Sequence, residues 1–330
     1  MQIWLCVLLA VLGIVCSVNA EELAKHDSPI HATYSFTADS LERADIKRGK
    51  LEGPFEFHST VFKNTVRRYW IYVPAKYNPK KPPNLLVFQD GQRAVNPKGS
   101  LRIPTVLDNL IHKGDIPVTL GVFITPGNVS EHYPDNLGMD NPDNRAAEYD
   151  SLSDGYTKFL IDELLPEVAK RYRFSENPKQ RIIGGTSSGA ICAFTVGWYK
   201  PESFGNIISM IGSYTSIGYQ PAKAGQPMQP GGDLYPGMIR KSAIRPLRIF
   251  LQDGSNDINN EHGNWFLANQ QMLSSLEWAN ANADKLGLAG ARYDISHVWG
   301  EGGHSDQHGG VLLPNMLRWF WGEPKASASK

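Results

Sequence analysis

The 330-residue sequence predicts an α/β protein with a mostly parallel central sheet and helices on both of its faces. Short apolar runs, of which residues 85–88 are the clearest, are typical of strands buried on both faces. These runs alternate along the chain with longer stretches that favour helix, which is the pattern of a parallel sheet covered by helices. No linker separates two such series, so we expect one main domain.

The first predicted strands follow a polar N-terminal stretch. Residues 55–62 and 66–73 are rich in β-forming side chains, and Asn64 and Thr65 supply a turn before the second of them. The further predicted strands are residues 85–88, 118–124, 180–183, 206–211, 247–251 and 293–299, and the predicted helices are residues 103–112, 156–172, 191–199, 265–283 and 310–321. Long loops rich in Gly and Pro occupy residues 125–145 and 212–237, and loops of that length are usually functional.

The N-terminus has the features of an export signal. Residues 3–18 are apolar and uncharged, and Val18-Asn19-Ala20 forms an A-x-A-like site, so residues 1–20 are predicted to be a signal peptide cleaved after Ala20. A transmembrane anchor and a lipoprotein signal are the alternatives, although the run is short for a membrane span. Residues 21–54 are expected to form an extended arm, residues 55–324 the main domain and residues 325–330 a tail. The mature chain is therefore expected in the periplasm or the medium, without stable membrane insertion.

Composition restricts the classes of partner. Lys and Arg together number 33, as do Asp and Glu, and this zero net charge argues against a nucleic-acid partner. Cys6 and Cys16 lie in the predicted signal peptide, so the mature chain keeps Cys192 alone and cannot form an internal disulfide. Cys192 lies in an apolar stretch and is predicted to be a small core residue.

A Gly-x-Ser-x-Gly pattern marks a candidate nucleophile. Residues 184–190 read Gly-Gly-Thr-Ser-Ser-Gly-Ala, between a strand-like run and a helical stretch. In that context Ser187 is expected at a sharp turn, with its hydroxyl exposed above the sheet. Gly185 and Gly189 leave room for so tight a turn. A plain Gly/Ser turn is the alternative, so an acid and a histidine must follow further along the chain.

Candidate partners for this serine follow two later strands. Asp253 and Asp257 come after the predicted strand 247–251, at the edge where open α/β sheets keep their functional groups. Asp257 is the favoured acid and Asp253 the alternative, and a turn-capping role is the other interpretation of either. After the last predicted strand, His304 is the expected base, because imidazole exchanges a proton near neutral pH, and His308 is the alternative.

Metal ligation is another interpretation of this histidine-rich region. The potential ligands are His297, His304, His308 and Asp306. Their spacing fits no specific zinc pattern, so we expect neither a metal nor an organic cofactor.

Five stretches, in this order, resemble the esterase branch of the α/β-hydrolases, which includes enterochelin-esterase-like enzymes, S-formylglutathione hydrolases and feruloyl esterases. They are residues 87–91, 185–189, 203–205, 254–257 and 303–304. The resemblance implies the α/β-hydrolase fold. It also implies a catalytic triad of Ser187 as nucleophile, His304 as base and Asp257 as acid.

The resemblance implies further site residues. Backbone N–H groups at Gly91 or Gln92, which follow the third strand, and at Ser188 are expected to form the oxyanion hole. Arg145 and Glu148 match an Arg-x-x-Glu of siderophore esterases and are expected to shape the substrate pocket. The alternative for this pair is a structural salt bridge.

Loop aromatic residues are candidates for stacking on a sugar or phenolic ring, with ordinary packing as the alternative. They are Tyr133, Tyr214, Tyr219 and Trp265, of which Trp265 is the expected substrate-binding residue. Together with export, the resemblance implies a secreted serine esterase whose partner is a small-molecule or polysaccharide ester, such as a feruloyl or acetyl ester of a carbohydrate. A siderophore trilactone esterase, an acyltransferase and a non-catalytic binding protein on the same scaffold are the alternatives.

Overall fold

The computed structural model describes residues 34–215, 217–220, 222–229, 231–283, 285 and 290–322. The predicted signal peptide, residues 21–33 of the predicted arm and the predicted tail lie outside the described residues. The strands are β1 (Lys50–His58), β2 (Thr65–Val73), β3 (Asn84–Gln89), β4 (Thr119–Ile124), β5 (Asn128–Val129), β6 (Arg181–Thr186), β7 (Asn206–Met210), β8 (Arg248–Gly254), β9 (Asn259–Asn260), β10 (Gly263–Asn264) and β11 (Asp294–Gly300).

Helices lie between these strands. They are α1 (Gly91–Ala94), α2 (Ile103–Lys113), α3 (Arg145–Tyr149), α4 (Gly155–Lys158), α5 (Leu165–Ala169), α6 (Ser188–Tyr199), α7 (Leu234–Lys241), α8 (Trp265–Asn282) and α9 (Asp306–Trp321). A π-helical stretch over Phe159–Leu164 joins α4 to α5, so residues 155–169 form one continuous helical segment, which ends before the predicted end at Tyr172.

The central sheet has the strand order β1-β2-β4-β3-β6-β7-β8-β11, with β5 paired to β2. β1 and β2 are antiparallel to each other, and β2 is antiparallel to β4. Every later pairing, from β4 with β3 to β8 with β11, is parallel. The predicted mostly parallel sheet is therefore confirmed. Its parallel strands end on one edge, where their loops meet.

Two apolar cores cover the two faces of the sheet. Successive side chains of a strand point to opposite faces, and in β3 Leu85 and Val87 join one core while Leu86 and Phe88 join the other. The first core takes side chains from the α4–α5 segment, α6, α7 and α8, and the second takes them from α2 and α9. Helices therefore pack on both faces, as predicted.

Several element boundaries differ from the prediction. β1 begins at Lys50, inside the predicted arm, because this mostly exposed edge strand lacks the apolar pattern that marks a strand. β8 continues to Gly254, so Asp253 belongs to the strand and does not follow it. α6 begins at Ser188 and α9 at Asp306, each earlier than predicted, and α7 was not predicted within or after the long loop.

The described part of the arm is attached to the domain by hydrogen bonds. The Asn109 Nδ2 group of α2 donates to the carbonyl groups of Ala38, Asp39 and Leu41. Arg318 of α9 forms an ion pair with Asp39. This part of the arm is therefore ordered against α2 and α9. Among the helices of the described residues, none is long and apolar enough to cross a membrane.

Candidate active site

Ser187 lies at the turn between β6 and α6, in a backbone conformation that few non-glycine residues adopt. Its φ is 58° and its ψ is −126°, so the surrounding structure must hold it there against local strain. A Cβ on Gly185 would lie 2.2 Å from the carbonyl oxygen of Gly189, which makes glycine obligatory at that position. The turn therefore has the geometry expected for a nucleophile elbow.

The structure brings together the serine, histidine and acid that the sequence favoured. Ser187 Oγ lies 2.9 Å from His304 Nε2, and His304 Nδ1 lies 2.6 Å from Asp257 Oδ1. The Asp257 side chain is fully buried, whereas that of His304 is 22% exposed. An ionised Asp257 accepts the Nδ1 proton, which leaves Nε2 as the acceptor for the Ser187 hydroxyl.

Asp257 is the group on which this tautomer depends. Burial pushes the pKa of Asp257 upward, but its interactions with His304, Asp253 and the Ile258 amide outweigh burial and bring the pKa below its ordinary value. The Asp257 carboxyl is therefore ionised at neutral pH and holds the imidazole proton on Nδ1.

The loops that carry Asp257 and His304 are joined to each other by their backbones. The amide of Ser255 donates to the carbonyl of Gly300 at 2.8 Å, and the amide of Asn256 donates to that of Gly302 at 3.2 Å. A Cβ on Gly254 would lie 2.1 Å from the Gly302 carbonyl oxygen, so only glycine permits this approach. The contact fixes the acid relative to the histidine.

The alternative base, His308, lies away from this chain of hydrogen bonds. It is 1% exposed, its Nδ1 is 2.8 Å from Gln252 Nε2, and its ring stacks on Tyr34 with 4.7 Å between centroids. Burial lowers the pKa of His308 to about 4. Its environment is that of a neutral core histidine.

Within the described residues, no group of three or more His, Cys, Asp and Glu side chains is arranged to hold a metal ion. The four potential ligands named from the sequence do not form such a group. Cys192 is buried in the first core with a free thiol, as predicted for a core residue.

The residues expected to supply the oxyanion hole lie at two adjacent helix starts. Gly91 and Gln92 open α1 immediately after β3, and Ser188 opens α6. Amide groups in the first turn of a helix have no intrahelical acceptor and remain available to an anion. A Cβ on Gly189 would lie 3.2 Å from Asp90 Oδ2, which shows how closely α6 approaches the residue before Gly91.

Arg145 and Glu148 do not pair with each other, contrary to one of the two expectations. Arg145 donates twice to Asp90, from Nε at 2.9 Å and from Nη2 at 2.8 Å. Glu148 is fully buried and pairs with Arg67 at 2.7 Å, while its other oxygen accepts from Asn144. Arg145 thus fixes the residue before the segment that is expected to supply the oxyanion hole.

Glu148, which was expected to shape the substrate pocket, contacts only the protein interior. Its Oε1 accepts from the amide of Gly127 at 3.2 Å, at the start of the long loop after β4. Its side chain has no exposed surface with which to contact a substrate. The buried pair with Arg67 is a structural salt bridge, but its partner is a strand residue and not Arg145.

Trp265 is buried beside His304 and does not form an open stacking platform. It is 6% exposed, and its ring meets the His304 ring edge-on at 6.2 Å between centroids. Its Nε1–H donates to Ser213 Oγ at 2.9 Å. Of the other three loop aromatics, Tyr133 and Tyr214 are buried, whereas Tyr219 is 40% exposed.

Ser213 is a site residue that the sequence analysis missed. Its Oγ lies 2.8 Å from Ser187 Oγ. Because the Ser187 proton is directed to His304, the hydroxyl of Ser213 donates to Ser187 Oγ and accepts from Trp265. Ser213 follows the carboxyl end of β7, where open α/β sheets keep their functional groups. The same rule selected the acid and the histidine, and it could have identified Ser213.

The chain matches the family described as "Putative esterase" over residues 60–320. It is 28% identical over 188 residues to the iron(III) enterobactin esterase of Escherichia coli K12, a match that covers 57% of this chain and 41% of that protein. A shorter match, 36% identity over 53 residues, is to the enterobactin esterase of Dickeya dadantii and covers 16% of this chain and 12% of that protein. The chain thus spans less than half the length of these curated relatives.

Solved structures extend the similarity to the whole fold. The enterobactin esterase of Shigella flexneri aligns with a TM-score of 0.59 and 22% identity, over 85% of this chain and 61% of that one. A ferulic acid esterase aligns with a TM-score of 0.58 and 18% identity, over 83% and 98% of the two chains. At these identities the likeness establishes the fold alone. The chain has the α/β-hydrolase fold, and it belongs to the esterase family whose model it matches over most of its length.

Proposed function

We propose that the protein is a serine esterase that hydrolyses carboxylic esters with a triad of Ser187, His304 and Asp257. The observation that carries the proposal is the continuous hydrogen-bond chain from the strained serine to the buried aspartate. Membership of an esterase family supports the same reaction. A scaffold used only for binding would have no need for this chain of hydrogen bonds.

The reaction follows from the directions of these hydrogen bonds. Ser187 Oγ bonds to the ester carbonyl carbon while its proton passes to His304 Nε2, and the imidazolium is stabilised by Asp257. His304 then gives this proton to the departing alcohol. Water attacks the acyl-enzyme with the same base, which releases the acid and restores the Ser187 hydroxyl.

The backbone amides at the starts of α1 and α6 are suited to the negative charge of the tetrahedral intermediate. Gly91 or Gln92 would supply one donor and Ser188 the other. Removing one such donor typically costs about 3 kcal/mol of transition-state stabilisation. The double hydrogen bond from Arg145 to Asp90 supports this role by fixing the residue that leads into α1.

For the substrate we propose an uncharged ester, with a carbohydrate-linked feruloyl or acetyl ester as the first candidate. The carboxyl groups of Asp306 and Asp150 interact with the side chains of Thr186 and Ser188, on either side of the proposed nucleophile. Arg145 is already neutralised by Asp90, and the two carboxyl groups outnumber Arg93, the cation that interacts with Asp306. A substrate with several negative charges would meet unfavourable electrostatics here.

A siderophore trilactone is the second candidate, favoured by the sequence match to enterobactin esterases. Two forms of this candidate differ in charge, since ferric enterobactin carries three negative charges and metal-free enterobactin carries none at neutral pH. We expect the metal-free form to be the better substrate of the two.

The test is a set of initial rates on p-nitrophenyl acetate, methyl ferulate, acetylated xylan, and metal-free and ferric enterobactin, each beside Ser187→Ala. Serine-dependent hydrolysis of methyl ferulate or of acetylated xylan supports the first candidate. Turnover restricted to enterobactin would instead support the siderophore trilactone as the substrate. Absence of serine-dependent hydrolysis on every ester contradicts the proposed function, and product analysis with added sugar acceptors then tests acyl transfer.

We also propose that the chain is exported and that residues 1–20 are removed. The support is the uncharged apolar run followed by Val18-Asn19-Ala20. N-terminal sequencing of the protein from periplasm and medium should give a chain that begins at Glu21. Recovery of the full-length chain in the cytoplasmic fraction would contradict export.

A further inference from the structure

Asp253 is a fully buried carboxyl group close to the triad but outside it. It lies near the end of β8, opposite Trp299 of β11. Its Oδ1 accepts from the amide of Gly254 at 2.7 Å, and its Oδ2 accepts from Asn269 Nδ2 at 2.7 Å. Among the described residues, no lysine or arginine pairs with it. A buried carboxylate with no cation is costly, and such groups usually remain protonated.

Asp257 presents the complementary feature. Its Oδ1 accepts two hydrogen bonds at 2.6 Å, from His304 Nδ1 and from the amide of Ile258. Its Oδ2 is buried, and within the described part of the chain no N–H or alcohol O–H group donates a hydrogen bond to it. The side chains of Asp253 and Asp257 lie close enough to interact with each other. A proton on Asp253 would give Oδ2 the donor it lacks.

Two carboxyl groups in contact inside a protein do not both ionise, so one of them keeps a proton. The donors that surround each group decide which one. Asp257 is held ionised by the His304 N–H and a backbone amide. Asp253 has a backbone amide and the neutral amide of Asn269 only. The proton therefore belongs on Asp253.

The remaining neighbours of Asp253 do not change this assignment. Burial, followed by the adjacent Asp257, raises the pKa of Asp253 far above its ordinary value. Asn269 is the polar contact from α8 and is uncharged. His308 of α9 bonds the preceding residue, Gln252, whose side chain points to the opposite face of the sheet. At neutral pH His308 carries no charge, because burial lowers its pKa to about 4.

We propose that Asp253 is a positioning residue: as a neutral carboxylic acid it donates a hydrogen bond to Asp257 Oδ2 and so holds Oδ1 against His304. The inference rests on the proposed serine esterase function, which it deepens by one residue. Asn269 supports the arrangement from behind, since its Nδ2 group also bonds the carbonyls of Gly212 and Trp265. The two acids at the end of β8 thus have different protonation states and different roles.

The activity test compares Asp253→Ala with Asp253→Asn. The alanine variant leaves Oδ2 of Asp257 without a donor, and kcat/KM should fall by about 10- to 100-fold, the effect of a lost hydrogen bond to a charged group. The asparagine variant is also neutral and has an N–H donor, so it should recover most of that loss. Equal losses in the two variants would overturn the proposal.

The pH profile adds a readout that a purely structural role would not move. Replacing a neutral acid by a neutral amide should leave the acid limb of the kcat/KM profile at the same pH in Asp253→Asn. If Asp253 were ionised, removing its charge would favour neutral His304 and shift that limb to lower pH, and such a shift would contradict the proposal.

An infrared difference spectrum tests the same proton without any substrate. At about pH 7, wild type minus Asp253→Asn should show the C=O stretch of a protonated carboxylic acid, whereas wild type minus Asp257→Asn should show carboxylate bands. Absence of the acid band in the first spectrum overturns the inference even if the enzyme is active. If neither variant folds, wild type alone should lose one acid C=O band on titration to alkaline pH.

This infrared readout also separates the two proposals. Ester hydrolysis that depends on Ser187 tests the triad, and the acid band tests Asp253. If the acid band is present but no ester hydrolysis depends on Ser187, the carboxyl pair is a structural feature of the site.

Discussion

His304 stands in the loop between β11 and α9, whereas His308 lies inside α9, one helical turn further along the chain. His304 is partly exposed and both of its ring nitrogens have oxygen partners, Ser187 on one side and Asp257 on the other. His308 is buried, with Gln252 at one nitrogen and, within the described residues, no partner at the other. Two identical side chains four positions apart therefore occupy opposite environments.

The difference shows why His304, and not His308, is the proposed general base. His304 has a proton donor in reach, an ionised group that fixes its tautomer, and access to solvent. His308 is shielded from solvent and has no ionised partner. Burial therefore lowers its pKa, and the ring stays neutral at neutral pH. Its stacking on Tyr34 and its bond to Gln252 give it a structural role.

The largest expected effect is the loss of His304. In His304→Gln the Ser187 hydroxyl has no base, and kcat/KM for p-nitrophenyl acetate should fall by about 10⁴-fold or more. His308→Gln is the matched control, because it changes the neighbouring histidine in the same way. It should keep kcat/KM within about threefold of wild type in the folded protein, since it touches none of the reacting groups. A comparable loss in both variants would contradict the assignment of different roles to the two histidines.

A smaller effect is expected from Ser213, which lies on the other side of the nucleophile. Its hydroxyl donates to Ser187 Oγ, where negative charge develops during attack, so Ser213→Ala should reduce kcat by about 10- to 100-fold. Because the lost bond strengthens in the transition state, KM should change less than kcat.

Trp265→Phe is the control for this variant, because it retains the ring against His304 and removes only the N–H that orients Ser213. Its effect on kcat should be smaller than that of Ser213→Ala. An unchanged kcat in Ser213→Ala would show that the contact between the two hydroxyls plays no part in the reaction.

The smallest expected effect is on the free energy of unfolding, which should depend on pH through His308. The pKa of His308 is about 4 in the folded protein and near 6.5 when unfolded, so the unfolded state binds the extra proton between these values. Stability should therefore decrease as pH falls from about 6.5 towards 4, by up to about 3 kcal/mol from this group.

Urea unfolding of wild type and His308→Gln, at several pH values between about 4.5 and 7, measures this contribution. The variant should lose less stability on acidification than wild type. Equal dependence on pH in both proteins would show that His308 is accessible to protons in the native fold.

Much of the fold was predictable because its signals are local. Buried strands such as β3 and β4 are continuous apolar runs, and the elbow glycines occupy fixed positions around Ser187. The edge strand β1 gave no such signal, because it is exposed and polar. α7 includes Pro236 and Gly237, which are typical of loops.

The details of the site were less predictable, because they depend on contacts between distant parts of the chain. The order of serine, acid and histidine does not distinguish Asp257 from Asp253, since both come from the end of one strand. The backbone contact between Ser255 and Gly300 makes that distinction. The three-residue spacing of Arg145 and Glu148 likewise gave no sign that their partners are the residue after β3 and a residue within β2.

The most direct test of the account is to trap the acyl-enzyme. Wild type mixed with excess p-nitrophenyl acetate and quenched in acid during the first turnover should carry one acetyl group, which peptide mapping should place on Ser187. The same experiment should give no adduct with Ser187→Ala and a greatly slowed one with His304→Gln. Two results would contradict the assignment of Ser187 as the nucleophile. One is an acetyl-enzyme intermediate on any other residue, and the other is hydrolysis that persists in Ser187→Ala.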